Sequence, residues 1–282
     1  MTQPCILNLS CLDRPGVVHA VSGFLLEHGA NIEEAAQFHD RDTGLFFMRV
    51  QFSGARTSVP ELRGALETFA NPLSARWQLH EAMAKMRAVV FVSSEGHCLN
   101  DLLFRWKYGH LPIEVCAVIS NHRTLEPMAE AHGVPFHHFE VTPESKAAVE
   151  RDQLRIVDAQ KAELVVLARY MQVFSDSACA ALAGRAINIH HSFLPSFKGA
   201  RPYQQAHDRG VKLIGATAHY VTSTLDEGPI IEQDVARVDH SMSVEDLAAL
   251  GRDTECQVLA RAVRWHSEHR VLVDGSKTVV FA

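Results

Sequence analysis

Apolar segments of strand length alternate with helical segments between residues 88 and 190 of this 282-residue chain. The predicted strands cover residues 88–92, 114–119, 136–141, 164–168 and 186–189. Of the helices between them, the first begins near residue 98, and the other three cover residues 125–132, 143–160 and 176–182. Strands that are apolar on both faces are typical of a parallel sheet covered by helices on two sides. We therefore predict an α/β, Rossmann-like, doubly wound sheet that binds ligands at the carboxyl ends of its strands.

The first 82 residues predict a separate, smaller unit. A strand over residues 5–11 leads through Asp13-Arg14-Pro15-Gly16 into a helix, which Gly29 ends. The apolar face of this helix is predicted to contain Val17, Val18, Val21, Phe24 and Leu25. Two strands joined at residues 42–44, a helix from Pro60 and a strand over residues 75–79 follow. This order predicts a ferredoxin-like βαββαβ domain.

The predicted boundaries are therefore a first domain over residues 1–82, a linker over 83–87 and a larger domain over 88–282. In the tail we expect strands over residues 213–221 and 229–235. Ser243 is expected to cap a long final helix, and Asp274-Gly275 to form a closing hairpin.

The composition excludes several classes of function. A formal net charge of -6 argues against a nucleic-acid-binding surface, which needs a basic face. The chain has no long apolar run and no signal peptide at its start, which favours a cytoplasmic protein over a membrane or secreted one. The six cysteines form no CxxC pair, so they are expected to be reduced core residues, not disulfides or zinc ligands.

Two polar residues stand at the end of the predicted strand over residues 186–189. Asn188 and His190 are two residues apart, so they project from the same face, and Asp226 follows in a tight loop further along the chain. An amide, an imidazole and a carboxylate in one cleft suit acyl transfer or acyl hydrolysis without a metal. The alternative is structural, because a buried Asn and His at a strand end often only satisfy loop backbone groups.

Paired histidines at 137–138 and 190–191 raise the question of a metal site. Adjacent residues of a strand point to opposite faces, so neither pair is expected to chelate one ion. No HExxH pattern stands nearby. We expect no metal.

Four motifs carry a resemblance to a known family. They are Asn188-x-His190, the Leu194 to Gly199 run, the Gly215 to Val221 strand and Leu225-Asp226-Glu227-Gly228-Pro229. Together they resemble the folate-dependent formyltransferase family over essentially the whole chain. The resemblance implies that Asn188, His190 and Asp226 are catalytic, that 10-formyltetrahydrofolate is the substrate and that no bound cofactor is needed.

The same resemblance implies further substrate-binding residues. The loop after the strand over residues 164–168 matches the loop that cradles the pterin, and His191 and His219 match positions at the site. The residues implied are Arg169, Met171, Gln172, Val173, His191 and His219. His219 alone in an apolar strand is more often a satisfied core histidine, so its role rests on the resemblance.

One departure from the family bears on the acceptor of the formyl group. Members that formylate glycinamide ribonucleotide carry a Gly-Ser-Asn phosphate loop, whereas residues 93–99 here read Ser-Ser-Glu-Gly-His-Cys-Leu. Glu95 would repel a phosphate, which favours water as the acceptor and hence hydrolysis. The products would be formate, which can supply purine synthesis, and tetrahydrofolate. The alternatives are transfer to glycinamide ribonucleotide or to initiator tRNA, and a non-catalytic amino-acid and folate sensor.

The first unit resembles an ACT domain. Asp13, Gly16 and Asn31 match the turn and strand start where such domains bind a small amino-acid effector. The alternative is that Asp13 caps the helix and Gly16 eases the turn. ACT domains usually pair, so the resemblance implies a homodimer or homotetramer.

Overall fold

The computed structural model describes residues 3–194 and 202–282, and the chain divides into two compact units. The first contains the chain up to Ala84 together with Glu268–Asp274 and Val279–Ala282. The second contains Lys85–Ser267 and Gly275–Thr278. No helix among the described residues is both long and apolar enough to cross a bilayer.

The first unit has the predicted βαββαβ order. Its elements are β1 (Cys5–Leu12), α1 (Val17–Glu27), β2 (Asn31–Asp40), β3 (Leu45–Ser53), α2 (Val59–Ala70) and β4 (Arg76–Glu81). The sheet is antiparallel with the strand order β2-β3-β1-β4. Val17 and Val21 of α1 are buried, but Val18 is 40% exposed, so its predicted place in the apolar face is wrong. Successive helical residues are about 100° apart around the axis, which turns Val18 away from the sheet.

The C-terminal residues depart from the predicted boundary of residues 88–282. Strands β12 (Val271–Asp274) and β13 (Lys277–Val280) form the predicted hairpin. Arg270 donates hydrogen bonds to Glu34 (3.0 Å) and to the carbonyl oxygen of Phe281 (2.9 Å). These bonds join both C-terminal pieces to the first unit. At the other boundary, β5 (Met86–Val92) begins inside the predicted linker of residues 83–87.

The second unit is the predicted doubly wound sheet. Its further elements are α3 (His97–Lys107), β6 (Ile113–Ser120), α4 (Glu126–Ala131), β7 (Phe136–His138), α5 (Lys146–Ala159), β8 (Leu164–Leu167), α6 (Asp176–Ala181), β9 (Ala186–His190), α7 (Pro202–Asp208), β10 (Leu213–Tyr220), β11 (Ile230–Arg237) and α8 (Val244–Ser267). The strand order is β11-β10-β9-β8-β5-β6-β7. The strands from β5 to β9 pair in parallel, and β10 and β11 add an antiparallel edge. The sequence did not predict α7.

Both faces of this sheet are covered, as the apolar strands require. Val89, Val90 and Phe91 are fully buried although neighbouring residues of β5 face opposite sides. Helix α8 packs against β9, β10 and β11. Since β8 pairs with β9 in parallel, the loop that follows Leu167 lies beside the end of β9.

Candidate active site

The pairing of β9 with β10 brings three of the predicted polar residues together. His219 of β10 lies directly opposite Asn188 in the antiparallel register, and Thr217 lies opposite His190. Residues two apart in a strand share a face, and directly opposed residues share it across the pair. Asn188, His190 and His219 therefore project from the same side of the sheet.

Asp226 reaches this side from the loop between β10 and β11. Its backbone has a φ of 57°, in the left-handed region that Asp and Asn adopt more readily than most residues. Two residues later, a Cβ on Gly228 would collide with the carbonyl oxygen of Tyr220. The Tyr220 amide also donates to the carbonyl oxygen of Pro229 (2.9 Å). The loop is thus packed directly on the strand, which fixes the direction of the Asp226 carboxylate.

The four side chains form one connected group, which we call the reaction-side cluster: Asn188, His190, His219 and Asp226. His190 Nδ1 lies 3.3 Å from Asp226 Oδ1. Asn188 Nδ2 lies 3.2 Å from His219 Nε2, while Asp226 Oδ1 is 3.6 Å from that nitrogen, beyond hydrogen-bonding distance. The spacing prediction that an amide, an imidazole and a carboxylate meet in one cleft therefore agrees with the structure.

The tautomer of His219 determines what Asn188 can do. His219 Nδ1 lies 2.9 Å from the carbonyl oxygen of Tyr220, and a carbonyl only accepts, so Nδ1 carries the proton. In the neutral ring, Nε2 is then an acceptor for one N–H of Asn188. The second N–H of that amide remains available to a bound oxygen.

Asp226 is held in its charged form, and one ring nitrogen of His190 lacks a hydrogen-bond partner among the described residues. Burial by itself raises the pKa of Asp226, but the facing imidazole of His190, which donates a hydrogen bond to it, lowers it, and the pKa lies well below its usual range. Asp226 is therefore an anion at neutral pH. His190 is 8% exposed, and its Nε2 is buried without a hydrogen-bond partner among residues 3–194 and 202–282. A buried, unpaired nitrogen costs about 1–3 kcal/mol unless a ligand meets it.

A cavity of about 260 Å³ opens onto these groups. Its volume lies just below the usual range of small-molecule pockets. Apolar walls come from Leu167, Ile189 and Val221, and all nine predicted catalytic and substrate-binding residues line it. The cavity therefore combines apolar walls with the polar side chains of the reaction-side cluster.

Comparison with known proteins identifies the family. Residues 86–263 match the formyl transferase family and residues 6–71 match the ACT domain family. A formyltetrahydrofolate deformylase of Corynebacterium sp. (strain P-1) is 50% identical over 98% of this chain and 97% of its own length. One of Bacillus subtilis (strain 168) is 48% identical over 98% of this chain and 93% of its own. The chain belongs to the formyltetrahydrofolate deformylase family.

Solved structures agree. The crystal structure of the formyltetrahydrofolate deformylase of Burkholderia mallei is 50% identical, covers 99% of this chain and 100% of its own, and superposes with a TM-score of 0.96. A glycinamide ribonucleotide transformylase of Symbiobacterium toebii is 32% identical, with a TM-score of 0.66, and covers 71% of this chain and 95% of its own. The family assignment confirms the resemblance drawn from the motifs.

The predicted pterin loop is held by buried contacts. The Tyr170 ring packs edge-on against Phe91, and its hydroxyl lies 3.0 Å from Gln153 Nε2. The Met171 amide donates to Ser93 Oγ (2.9 Å). Met171 and Val173 are themselves 60% and 53% exposed. Their apolar side chains line the cavity and are free to cover a flat ring.

The segment after His190 is fixed by β10 and β11. Thr217 Oγ1 accepts from the Leu194 amide (3.1 Å) and donates to the Ser192 carbonyl oxygen (2.9 Å). Gln233 Nε2 donates to the Leu194 carbonyl oxygen (3.1 Å). In the motif from Leu194 to Gly199, residues 195–199 lie outside the described residues.

The expectation that His190 and His191 point to opposite faces is wrong. Their rings stack with centroids 5.0 Å apart, because β9 ends at His190 and His191 has left the strand. Burial, aided by the nearby charge of Arg169, lowers the pKa of His191 to about 4. His191 is therefore a neutral side wall of the cavity at physiological pH.

A second charged group, which we call the acceptor-side cluster, was not predicted as a unit: Glu95, His97, Arg169, Tyr203 and Glu255. Only Glu95 and Arg169 were singled out from the sequence, and for separate roles. Glu255 is 1% exposed and lies 2.8 Å from His97 Nε2 and 2.6 Å from the Tyr203 hydroxyl. Arg169 Nε is 3.4 Å from Glu255. The available signal was the position of Glu255 in the buried stripe of α8, together with Leu247, Gly251, Thr254 and Val258.

His97, Cys98 and Glu255 offer ligand atoms within 4.8 Å of one another, which is close enough to hold one metal ion. The guanidinium of Arg169 already neutralises Glu255. The neighbouring Cys256 and burial raise the pKa of the Cys98 thiol well above its ordinary value, which keeps it protonated. A cation beside Arg169 would meet a like charge and one neutral thiol, so this donor set suits an ion pair better than a metal.

The predicted effector residues of the first unit lie at its surface. Gly16, with a φ of 93°, is the N-cap of α1, and no side chain caps the helix, so the interpretation of Asp13 as a cap is wrong. Asp13 instead pairs with His39 (3.3 Å). Asn31 is exposed at the start of β2.

Proposed function

We propose that this protein hydrolyses 10-formyltetrahydrofolate to formate and tetrahydrofolate. The observation that carries the proposal is the buried, unpaired Nε2 of His190, which borders a small-molecule cavity while Asp226 holds the other ring nitrogen. Family membership supports the substrate, since the relatives described above are named formyltetrahydrofolate deformylases.

In the proposed complex the pterin ring lies against the loop of residues 169–173, and the formyl amide lies over β9. Asn188 and protonated His190 donate hydrogen bonds to the formyl oxygen. Both donors are fixed before the reaction, Asn188 by His219 and His190 by Asp226. Donors held in this way stabilise the oxyanion without reorganisation in the transition state.

Water supplies the nucleophile. His190 Nδ1 engages Asp226 Oδ1, which leaves Oδ2 to orient a water molecule and take its proton as oxygen attacks the formyl carbon. The resulting tetrahedral anion collapses, the bond from carbon to N10 breaks, and His190 Nε2 gives its proton to N10. The formyl group leaves as formic acid, which loses its remaining proton to solvent to become formate. The proton taken by Asp226 returns to His190, so charge and protons balance over one turnover.

We propose that the reaction needs no metal and no bound cofactor, because the three groups named above supply the base, the acid and the oxyanion donors. We further propose that the ACT-type unit binds an amino-acid effector near Asp13, Gly16 and Asn31, and that the chain assembles into a homo-oligomer. The cytoplasmic location stays a prediction from the cysteine pattern of the sequence.

The decisive experiment separates hydrolysis from transfer. The purified protein is incubated with 10-formyltetrahydrofolate alone, and release of formate and tetrahydrofolate is followed; the incubation is repeated with glycinamide ribonucleotide. Formate released without the amine, at an unchanged rate with it, is the expected result. Turnover that requires the amine would instead make the protein a transferase, and tight folate binding without turnover would make it a sensor.

A further inference from the structure

Two members of the acceptor-side cluster, Glu95 and His97, lie at the turn where a doubly wound fold ordinarily binds phosphate. The turn between β5 and α3 leads into the N-terminus of an 11-residue helix, whose free amides and dipole favour an anion. Here the turn places the Glu95 carboxylate at that position, half-exposed. A phosphate entering this turn would meet a negative charge first.

Two further polar side chains at this turn, Ser93 and His97, already have hydrogen-bond partners. Ser93 Oγ donates to Asn121 Oδ1 (2.7 Å) and accepts from the Met171 amide. His97 Nε2 bonds the buried Glu255. Gly96, which could otherwise mark the close approach of a ligand, is explained by packing, since a Cβ there would lie 2.8 Å from Leu125 Cδ2. Apart from the exposed Ser94 and the helix amides that Glu95 precedes, the described side chains of this turn therefore have no donor left for a phosphate.

Glu255 is saturated in the same way. Its two oxygens meet His97 Nε2, the Tyr203 hydroxyl and the Arg169 guanidinium, and these contacts overcome burial to lower its pKa. Gly251, one turn earlier on α8, has no Cβ to collide with the Tyr203 ring. The absence of a side chain at Gly251 thus makes room for the Tyr203 ring, and the Tyr203 hydroxyl donates a hydrogen bond to Glu255.

Arg169 joins this closed group to the reaction side. It lines the folate cavity, yet its guanidinium lies 3.4 Å from both Glu95 and Glu255. Its backbone has a φ of 64°, an uncommon conformation that a non-glycine residue keeps only when its surroundings hold it.

We propose that the acceptor-side cluster determines the acceptor specificity of the reaction. The cluster blocks the turn where the phosphate of a phosphorylated amine would bind, and so leaves water as the nucleophile at the formyl carbon. This inference rests on the proposed hydrolysis and assigns its specificity to Glu95, Tyr203 and Glu255, which take no part in the chemical steps.

The test uses two mild variants and a matched control. Glu95→Gln removes the exposed charge, Tyr203→Phe removes one donor to Glu255 while keeping the ring in its seat, and Glu130→Gln removes an exposed charge on α4. Formate release is measured for each protein with increasing inorganic phosphate and with glycinamide ribonucleotide, and formylated amine is assayed separately.

Wild type and Glu130→Gln should be insensitive to both probes. Glu95→Gln should bind phosphate about tenfold more tightly, a change of about 1.4 kcal/mol. The double variant Glu95→Gln/Tyr203→Phe should be inhibited by glycinamide ribonucleotide or should formylate it, while it keeps hydrolysing the folate. Variants that release formate normally but remain as insensitive as wild type would overturn the specificity role alone. Absence of formate from wild type would instead remove the proposed hydrolysis.

Discussion

The two charged clusters of the second unit contain similar side chains but differ in how completely their polar atoms are hydrogen-bonded. In the reaction-side cluster, His190 keeps a buried nitrogen without a partner among the described residues, and a cavity borders it. In the acceptor-side cluster, the carboxylate of Glu255 is met by three donors. Residue type alone does not mark a reactive group. A buried polar atom that lacks a hydrogen-bond partner and borders a cavity indicates a reactive group. A buried polar atom whose hydrogen bonds are all made indicates a structural or specificity role.

The largest expected effect comes from breaking the open cluster. His190→Ala and Asp226→Asn should each lower kcat by a factor of about 10² to 10³, because each removes a group that acts on the transition state. Formate release at saturating folate measures this, with exposed His122→Ala as the control. Rates within a few-fold of wild type for both variants would contradict the assignment of these residues.

A smaller effect is expected from the loop that aims Asp226. Gly228→Ala forces a methyl group against the Tyr220 carbonyl oxygen, so the loop must move, at a cost of about 2–3 kcal/mol in unfolding free energy. Activity should fall further than stability accounts for, because the carboxylate moves from His190. Denaturant unfolding and kcat test this together.

The control for that variant is Gly64→Ala in α2, where the added methyl meets open space. It should be neutral or stabilising by up to about 1 kcal/mol. Equal behaviour of the two alanine variants would show that the contact with Tyr220 does not fix the loop.

The smallest effect is expected at His191, whose ring stacks on His190 of the reaction-side cluster and lies near the charge of Arg169 in the acceptor-side cluster. Its pKa is about 4 in the folded protein and 6.5 ordinarily, so the folded state binds fewer protons between these values. Unfolding free energy should therefore fall as pH drops from 6.5 to 4. His191→Gln should reduce the total fall in unfolding free energy between pH 6.5 and 4 by about 2 kcal/mol, allowing for solvent screening.

Unfolding measured across that pH range for wild type, His191→Gln and the exposed His122→Gln tests the point. The slope should change only in the first variant. The half-buried His80 in the first unit, whose pKa burial also lowers to about 4, will keep some slope in every protein. An unchanged slope in His191→Gln would mean that this ring is not held neutral.

Much of this arrangement can be predicted from the sequence. Apolar alternation predicts the sheet, and the spacing of Asn188 and His190 predicts their common face. The contact of His219 with Asn188 cannot be predicted in this way, because it depends on the antiparallel register of β10. Glu255 was missed for a related reason, since its partners come from distant parts of the chain and only the folded unit brings them to α8.

The origin of the second oxygen in formate decides whether water is the nucleophile. The enzyme, in excess over 10-formyltetrahydrofolate, is allowed one turnover in H₂¹⁸O, and the formate is analysed by mass spectrometry. If Asp226 activates water, the formate carries one labelled oxygen and Asp226 carries none. Unlabelled formate with label in the Asp226 carboxylate would show that the carboxylate attacks the formyl carbon itself, and would contradict water as the nucleophile.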